Sequence, residues 1–450
     1  MKKTVIKKAN VVNEGIIKVL DVLIAGERIE KIADTIDVSG ENVHEVDATN
    51  LFLLPGLIDD HVHFREPGYP LKGTIYSESR AAVAGGITSF MDMPNTLPVS
   101  TSIDRLEKKF ALAQLNSLAN YSFFMGIDGT NLEEALKIDT THVCGLTDDG
   151  LYLDGNQSTL ANQPAILEEL FSRTNNLVAL HCEDDAIIRA NENFYLAAFG
   201  NEIPIRFHPF IRNESACFAA TQRVIEISRR HDARVHILHV STKAEVELLD
   251  DHLPIRSKRI TGEACVHHLW FSSVDYDELG EKIKWNPSIK SENDRVGLLS
   301  GLKNKRLDII ATDHAPHTVL DKSGNYFQCK SGGPLVQHAL PILIELYHQE
   351  RITLPEIVEK TSHNVAEIFR IKERGFIREG YYADLVLLDL NKPWISTKVN
   401  SLYKCGWSPF ENFKFSSQVM TTFVNGTIVF NDAEISNIKT GKRLLFEAIR

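Results

Sequence analysis

Residues 51–68 have the sequence LFLLPGLIDDHVHFREPG, in which an apolar run ends in two histidines, His61 and His63. Side chains two apart on a β-strand point to the same face, so both imidazoles can bind one metal ion from one strand end. Arg65 follows in a loop that contains proline and glycine, which places a positive charge beside that ion. A metal next to an arginine favours a substrate that carries a carboxylate. A lone His-x-His is more often a surface or partly buried pair, so the rest of the chain decides.

The remaining sequence alternates between strand and helix patterns. Eight strands joined by connections with helical periodicity, over roughly 300 residues, predict an α/β fold, a (β/α)8 TIM-like barrel. The predicted strands are Leu57–His61, Ile87–Met93, Tyr121–Ile127, His142–Thr147, Leu177–His181, Arg234–His239, Ile260–Val266 and Leu307–Thr312. The clearest predicted helices are Arg105–Ser117, Gln163–Arg173, Glu214–Arg230 and Leu335–His348.

Both chain ends carry short strand patterns separated by turns. Examples are Thr4–Val11 and Val19–Ala25 at the start, and Ala383–Asp389 and Val419–Phe430 near the end. Neither end alone has enough strands to bury a sheet face, so the two together predict one small β-sandwich domain. The predicted division of the chain is 1–54 and 366–450 for the β-sandwich, and 55–365 for the barrel.

The composition excludes several classes of function. The hydrophobic fraction of 43% is ordinary for a globular protein. The net charge of −11, without a basic run, makes nucleic acid and anionic membranes unexpected partners. The six cysteines lack CxxC spacing, which is typical of reduced cytoplasmic thiols. The first residues lack the pattern of a signal peptide, and no apolar stretch approaches the ~20 residues of a membrane helix. We therefore expect a cytoplasmic protein.

Polar side chains stand at the ends of the predicted strands, where the reactive groups of such barrels lie. Each could singly be a cap or a turn residue, but four imidazoles with carboxylates on one rim predict metal binding. The set fits two Zn²⁺ ions that share a carboxylate, with Mn²⁺ or Co²⁺ as substitutes. No lysine near strand four could supply a carbamylated bridge, and either aspartate of the pair could replace it. The polar residues at the strand ends that form this predicted metal site are His61, His63, Asp148, Asp149, His181, His239 and Asp313.

Two segments, DHVHFREPG at 60–68 and ATDHAPH at 311–317, resemble the signatures of the dihydroorotase family in the amidohydrolase superfamily. The TDDG segment at 147–150 is similar to the bacterial type that bridges its metals with aspartate instead of a carboxylated lysine. Further similar segments are MPNT at 93–96, HCED at 181–184, HVST at 239–242 and Asn286-Pro287. With similar junctions at 55–59 and 380–388, the resemblance covers nearly the whole chain.

The resemblance implies roles for individual residues. His61, His63 and Asp313 would bind one ion, His181 and His239 would bind the other, and Asp149 would bridge. The substrate would contact Arg65, Asn95, Asn286 and His317. The implied reaction is the reversible cyclisation of N-carbamoyl-L-aspartate to L-dihydroorotate in pyrimidine (UMP) synthesis. A metal-activated hydroxide would act with Asp313 as general acid and base.

Other functions stay open at this point. A hydantoinase or allantoinase would share the barrel, although such enzymes usually carry a lysine after strand four and lack the full HFREPG loop. An inactive homologue would instead scaffold aspartate transcarbamoylase, but such proteins typically lose metal ligands. A homodimer and an association of the active enzyme with aspartate transcarbamoylase are further expectations. Residues 318–333 are a candidate lid, and His236, three residues before His239 on its strand, should face the other way.

Overall fold

The computed structural model describes residues 3–39, 42–151 and 158–448. Its centre consists of short parallel strands that alternate with helices, which is a TIM-barrel-type α/β fold. Each of the eight predicted strands is found, and the third is divided at Phe124. The parallel strands are Leu57–Val62, Ile87–Asp92, Asn120–Phe123, Met125–Gly126, Leu146–Thr147, Val178–Leu180, Val235–Ile237, Ile260–Cys265 and Ile309–Ala311.

The parallel strands form two hydrogen-bonded ladders. The first three strands pair in one ladder, and the six from Met125–Gly126 to Ile309–Ala311 pair in the other. An isolated parallel bridge also joins Val62, at the end of the first strand, to His314, which follows the last. Next to this bridge, the N–H of His63 donates to the carbonyl of His314 at 2.8 Å. The carboxyl ends of the first and last strands therefore lie side by side.

The four predicted helices are confirmed, and Glu214–His231 shows the reason. Ala216, Ala220 and Val224 recur every four residues and are buried, while Asn213 caps the first turn by accepting from the N–H of Ala216. The α-helices are Ile75–Ala84, Ile103–Asn116, Leu132–Ala135, Pro164–Arg173, Asp185–Phe199, His208–Ile211, Glu214–His231, Lys243–Val246, Val266–Trp270, Tyr276–Leu279, Glu292–Lys303, Ala339–His348, Leu354–Val358 and Asn364–Phe369. Single 3-10 or π turns are Leu160–Asn162, Ile205–Phe207, Ile255–Ser257, Ser273–Asp275, Gly280–Ile283 and Glu359–His363.

Strands from both chain ends pair in one β region, and its packing as a two-layer β-sandwich stays a prediction. They pair in one continuous nine-stranded sheet, in which Leu385–Asp389 from the later part of the chain lies antiparallel to Phe52–Pro55 from the first part. The sheet strands are Lys3–Asn13, Ile16–Ala25, Arg28–Ala33, Val43–Asp47, Phe52–Pro55, Leu385–Asp389, Gln418–Val424, Thr427–Asn431 and Glu434–Ile435. The short strands Trp394–Ile395 and Lys414–Phe415 form a separate pair.

Apolar side chains from the strands of this sheet form a buried core. Ile6, Val22, Leu53, Leu385 and Phe423, which come from five different strands, are each at most 1% exposed and belong to one cluster. Burial of this kind stabilises a fold by roughly 25 cal/mol for each Å² of apolar surface removed from water. The two chain ends thus share one β domain. Among the described residues, no helix is both long enough and apolar enough to cross a membrane.

Candidate metal centre and substrate pocket

The side chains at the carboxyl ends of the strands converge on one buried cluster. His61 lies in strand Leu57–Val62, and His63 directly follows that strand. His181 follows strand Val178–Leu180, His239 follows Val235–Ile237, and Asp313 follows Ile309–Ala311. All five are at most 5% exposed. His239 and Asp313 have φ angles of 34° and 47°, so the backbone has left the extended conformation at these two residues.

Asp149 lies between two pairs of histidines. Its Oδ2 atom is 3.5 Å from Nε2 of His61 and 3.3 Å from Nε2 of His63. Its Oδ1 atom is 3.6 Å from Nδ1 of His181 and 3.7 Å from Nε2 of His239. Burial raises the pKa of Asp149, but the surrounding imidazoles of His181, His239 and His61 outweigh burial and hold the pKa well below its ordinary range. One carboxylate therefore faces both halves of the cluster.

The two other aspartates of the cluster occupy different positions. Asp313 Oδ1 is 3.2 Å from Nε2 of His63 and 3.6 Å from Nε2 of His61, so it faces only one histidine pair. Asp148 accepts hydrogen bonds from the backbone N–H groups of Leu160 and His181. Burial raises the pKa of Asp148 to about 7. Both oxygens of Asp148 therefore already accept hydrogen bonds, one from the backbone at Leu160 and one from the strand end at His181.

The donor atoms of this cluster fit cations. One ligand atom from each of His61, His63 and Asp149, and likewise from each of Asp149, His181 and His239, lies within 4.8 Å of the others. Nε2 of His61, which faces Asp149 and Asp313, is buried without a hydrogen-bond partner among the described residues. In the other half, Nδ1 of His181 and Nε2 of His239 lie 2.9 Å apart beside Asp149. A buried polar atom without a partner is costly, and imidazole nitrogen with carboxylate oxygen is a donor set that suits Zn²⁺. Both halves of the cluster can therefore hold a metal ion.

Glu263, in the seventh strand, supports both halves of the cluster and was not found from the sequence. Its Oε1 atom is 2.6 Å from Nδ1 of His61 and accepts from the backbone N–H of His239 at 2.9 Å. Burial raises the pKa of Glu263, whereas His61 and His236 lower it, and the result lies below the ordinary value. A glutamate inside a buried strand without other charged residues is a buried charge that needs a partner, which is the signal that identifies it.

The orientation predicted for His236 is wrong. Its Nε2 atom lies 3.3 Å from Oε2 of Glu263, and the other oxygen of Glu263 contacts the ring of His61. The ring of His61 lies 5.3 Å from the ring of His239, so the His236 and His239 rings lie on the same side of the strand. The strand ends at Ile237, and the positive φ of His239 breaks the alternation on which the prediction relied.

Glu183 supports the second histidine pair from the other side. Its Oε2 atom is 2.8 Å from Nε2 of His181 and also accepts from Nη1 of Arg212. Burial lowers the pKa of His181, but hydrogen bonds to Asp149 and Glu183 raise it to about 9. A carboxylate behind a metal-binding histidine fixes the orientation of its ring.

A pocket opens beside the cluster. Arg65, Asn95 and Asn286, three of the four predicted substrate residues, line it. Asn95 Oδ1 is 2.8 Å from Nδ1 of His63, which turns the amide nitrogen of Asn95 away from that ring. The other lining residues are His63, Asp149, Gly150, Trp285, Asp313, Ala315, Ser331 and Gly332.

The fourth predicted substrate residue, His317, lies against Arg65. Nε2 of His317 is 3.2 Å from Nη2 of Arg65, and Nε of Arg65 donates to the carbonyl of Pro316 at 3.1 Å. Burial lowers the pKa of His317 well below its ordinary value, and nearby Arg65 and Lys72 lower it further. A neutral His317 can therefore sit beside the buried guanidinium without repulsion.

The candidate lid at 318–333 is tied to the rest of the protein through Lys322. Its buried amine donates to the carbonyls of Lys284, Lys330 and Gly332 at 3.2, 2.9 and 2.9 Å. Ser331 and Gly332 form one wall of the pocket. The lid role stays a prediction.

Comparison with known proteins agrees with this geometry. The chain belongs to the amidohydrolase family, because the sequence pattern of the "Amidohydrolase family" matches residues 52–429. The dihydroorotase of Halobacterium salinarum is 32% identical over 93% of this chain and 95% of its own length. The dihydroorotase of Pyrococcus furiosus is 31% identical over 91% and 88%. These similarities place the chain among the dihydroorotases, which are metal-dependent hydrolases.

The solved structure of the L-hydantoinase (dihydropyrimidinase) from Arthrobacter aurescens covers 99% of this chain with a TM-score of 0.90. At 23% sequence identity, that similarity establishes the fold alone.

Proposed function

We propose that this enzyme holds two Zn²⁺ ions and bridges them with Asp149. His61, His63 and Asp313 would hold the first ion, and His181 and His239 would hold the second. The observation that supports this most strongly is the division of Asp149, one oxygen toward each histidine pair. An unmodified aspartate then takes the place of a carboxylated lysine. Asp148 is less suited to this bridge, because its two oxygens already accept hydrogen bonds from backbone N–H groups.

The substrate we propose is N-carbamoyl-L-aspartate in one direction and L-dihydroorotate in the other. Both carry a carboxylate, and the planar guanidinium of Arg65 can grip it with two parallel hydrogen bonds. Asn95 and Asn286 offer amide groups to the same pocket. His317 holds the position of Arg65, and its other ring nitrogen, Nδ1, contacts Lys72 at 3.1 Å.

The proton transfers fall to Asp313, which lines the pocket and also faces His63. During ring opening, its carboxylate accepts a proton from the attacking water and delivers that proton to the departing ring nitrogen. During ring closure, Asp313 accepts the proton of the attacking nitrogen and donates it to the departing oxygen of the attacked carboxyl group, which leaves as water. The bound cations supply Lewis acidity and lower the pKa of water at the cluster.

We further infer that the two parallel ladders close into a (β/α)8 barrel with boundaries near 55 and 365. The bridge between Val62 and His314 supports closure on one side. On the other side, closure is supported by the strand that is divided at Phe124, because its first part, Asn120–Phe123, belongs to one ladder and its second part, Met125–Gly126, to the other.

The metal assignment is tested by counting zinc in two matched variants. We expect two ions per chain in the wild-type protein and in Asp148→Asn, and at most one in Asp149→Asn, because the carboxylate of Asp149, unlike that of Asp148, lies between the rings of the two histidine pairs. Circular dichroism checks that both variants are folded. Loss of zinc from Asp148→Asn, with two ions retained by Asp149→Asn, would contradict the assignment of the bridge to Asp149.

We also propose a cytoplasmic location, a homodimer, and association with aspartate transcarbamoylase. Light scattering of the purified protein measures its mass in solution, and repeating the measurement with aspartate transcarbamoylase shows whether a complex forms. A monomer that does not change mass in the mixture would contradict both association proposals.

A further inference from the structure

A second cavity lies at the opposite end of the barrel strands. It has a volume of about 810 Å³, within the range of small-molecule sites. Leu177, Arg234 and Arg259, which line it, each directly precede a strand, whereas His181 and His239 follow the carboxyl ends. The cavity is therefore separate from the metal centre and its pocket.

The charge of this cavity is opposite to the charge of the protein. The whole chain carries a net charge of −11. The cavity nevertheless contains seven basic residues and only three acidic ones. The basic residues are Arg234, Arg256, Lys258, Arg259, Arg370, Lys372 and Arg374, and the acidic residues are Glu367, Glu373 and Glu447.

Four of the basic residues have acidic partners. Lys258 lies 2.7 Å from Asp308, and Arg259 lies 3.2 Å from Asp232. The remaining pairs are Arg256 with Glu367 and Arg374 with Asp384. These pairs hold the rim of the cavity in place, and their positive charges are already balanced.

Among the described residues, three basic residues of the cavity and one acidic residue, Glu447, form no ion pair, which leaves an excess of two positive charges. Within residues 3–39, 42–151 and 158–448, Arg234, Arg370 and Lys372 form no ion pair. Arg234 is partly buried, and its Nη2 donates to the carbonyl of Ile368 at 2.7 Å. Burial lowers the pKa of Arg234 to about 10, and the nearby positive charges of Arg370 and Arg259 act in the same direction. Like charges held together in this way repel one another until an anion is bound.

Apolar side chains complete the cavity. Ile255, Ile368, Ile371, Phe376 and Tyr381 line it next to the basic residues. Phe376 already stacks on His363, with ring centroids 4.3 Å apart, so its position is fixed by packing. Guanidinium groups match phosphate oxygens in geometry, and an apolar wall suits a flat ring.

We propose that this cavity binds a phosphorylated metabolite of nucleotide size, with its phosphate held by Arg234, Arg370 and Lys372. The proposal does not depend on the reaction at the metal centre. The volume accommodates a ring and a sugar, and the unbalanced cations match the two negative charges of a phosphate monoester.

The test is isothermal titration calorimetry of the zinc-loaded protein with adenosine 5′-monophosphate. We expect saturable binding of the monophosphate and no detectable binding of adenosine, which lacks the charge. The variant Arg370→Asn, Lys372→Gln should bind at least about tenfold more weakly, since charge-assisted hydrogen bonds are lost. Asparagine suits position 370 because Arg370 has a φ angle of 60°.

Two matched control variants distinguish binding in this cavity from nonspecific binding and from binding in the substrate pocket. Lys414→Gln removes an exposed lysine outside the cavity, and Arg65→Met removes the cation of the substrate pocket; both should bind the monophosphate like the wild type. Binding that survives in the double variant, or that disappears in Arg65→Met, would overturn the proposal. Equal binding of adenosine or of succinate would also overturn it, because the phosphate would then not be the recognised group.

Discussion

Replacing Glu263 by glutamine tests how the cluster is held in place. Oε1 of Glu263 contacts Nδ1 of His61 at 2.6 Å and the backbone N–H of His239 at 2.9 Å. Glutamine preserves the shape of the side chain and one accepting oxygen, but it removes the negative charge that favours both contacts. The substitution therefore weakens the support of one histidine from each half of the cluster without creating a cavity.

The magnitude follows from the position of the lost charge. Loss of one supporting partner behind a metal-binding histidine costs about 10- to 100-fold in metal affinity. That range corresponds to about 1.4–2.7 kcal/mol. Because a single oxygen contacts residues of both histidine pairs, we expect the upper part of this range for Glu263→Gln.

The assay is a zinc titration against a chromophoric chelator, with turnover measured in parallel. Glu245→Gln is the matched control, since Glu245 is also buried and accepts hydrogen bonds from Thr221 and Thr242 but, among the residues that the structure describes, from no histidine. We expect weaker zinc binding only in Glu263→Gln. A zinc affinity within twofold of the wild type, with unchanged turnover, would refute the role given to Glu263.

The same variant has a consequence for acid stability of the metal-free protein. The pKa of Glu263 is below its ordinary value of 4.5. Such a carboxylate stabilises the fold above its unfolded pKa, and the contribution is lost as the pH falls through the folded pKa. Glutamine does not titrate, so Glu263→Gln should lose less stability than the wild type between neutral and acid pH. An equal loss in both proteins, followed by circular dichroism, would contradict this.

Other expected outcomes are as follows. Asp313→Asn should be folded and lose nearly all turnover, because no group remains to move the proton; near-normal turnover would exclude the role. Arg65→Met should raise KM for the carboxylate-bearing substrate more than it lowers kcat, and an unchanged kcat/KM would contradict the clamp. Ring closure removes a carboxylate and consumes a proton, so the equilibrium should shift about tenfold toward the open chain for each pH unit above the carboxyl pKa; a pH-independent product ratio would contradict that balance. Asp92→Ala leaves the fully buried Lys109 without its partner at 2.6 Å and should cost about 3–5 kcal/mol in chemical denaturation, whereas a loss below about 1 kcal/mol would contradict the importance of this pair.

Much of the fold follows from local sequence patterns. The apolar spacing in Glu214–His231 predicts a helix because the spacing can be recognised within one short segment of sequence. His61 and His63 are predictable as a pair because strand side chains alternate with a period of two. The ends of the strands are harder to predict, and the fourth strand consists only of Leu146–Thr147 where a longer one was expected.

The parts of the site that were missed depend on contacts between distant segments. Glu263 meets His61 across about 200 positions of sequence, so no local pattern links them. The orientation of His236 was wrong because the positive φ of His239 breaks the strand alternation. Asp148 and Asp149 are neighbours of the same residue type, and only the three-dimensional arrangement shows that Asp149 lies between the two histidine pairs.

The decisive measurement is turnover by the zinc-loaded protein. Ring closure of N-carbamoyl-L-aspartate and ring opening of L-dihydroorotate are followed beside hydantoin and allantoin. We expect turnover of the first two compounds only, abolished by a chelator and restored by zinc. Turnover of hydantoin or allantoin without turnover of L-dihydroorotate, or no turnover of any of the four by protein with bound zinc, would contradict the proposed reaction.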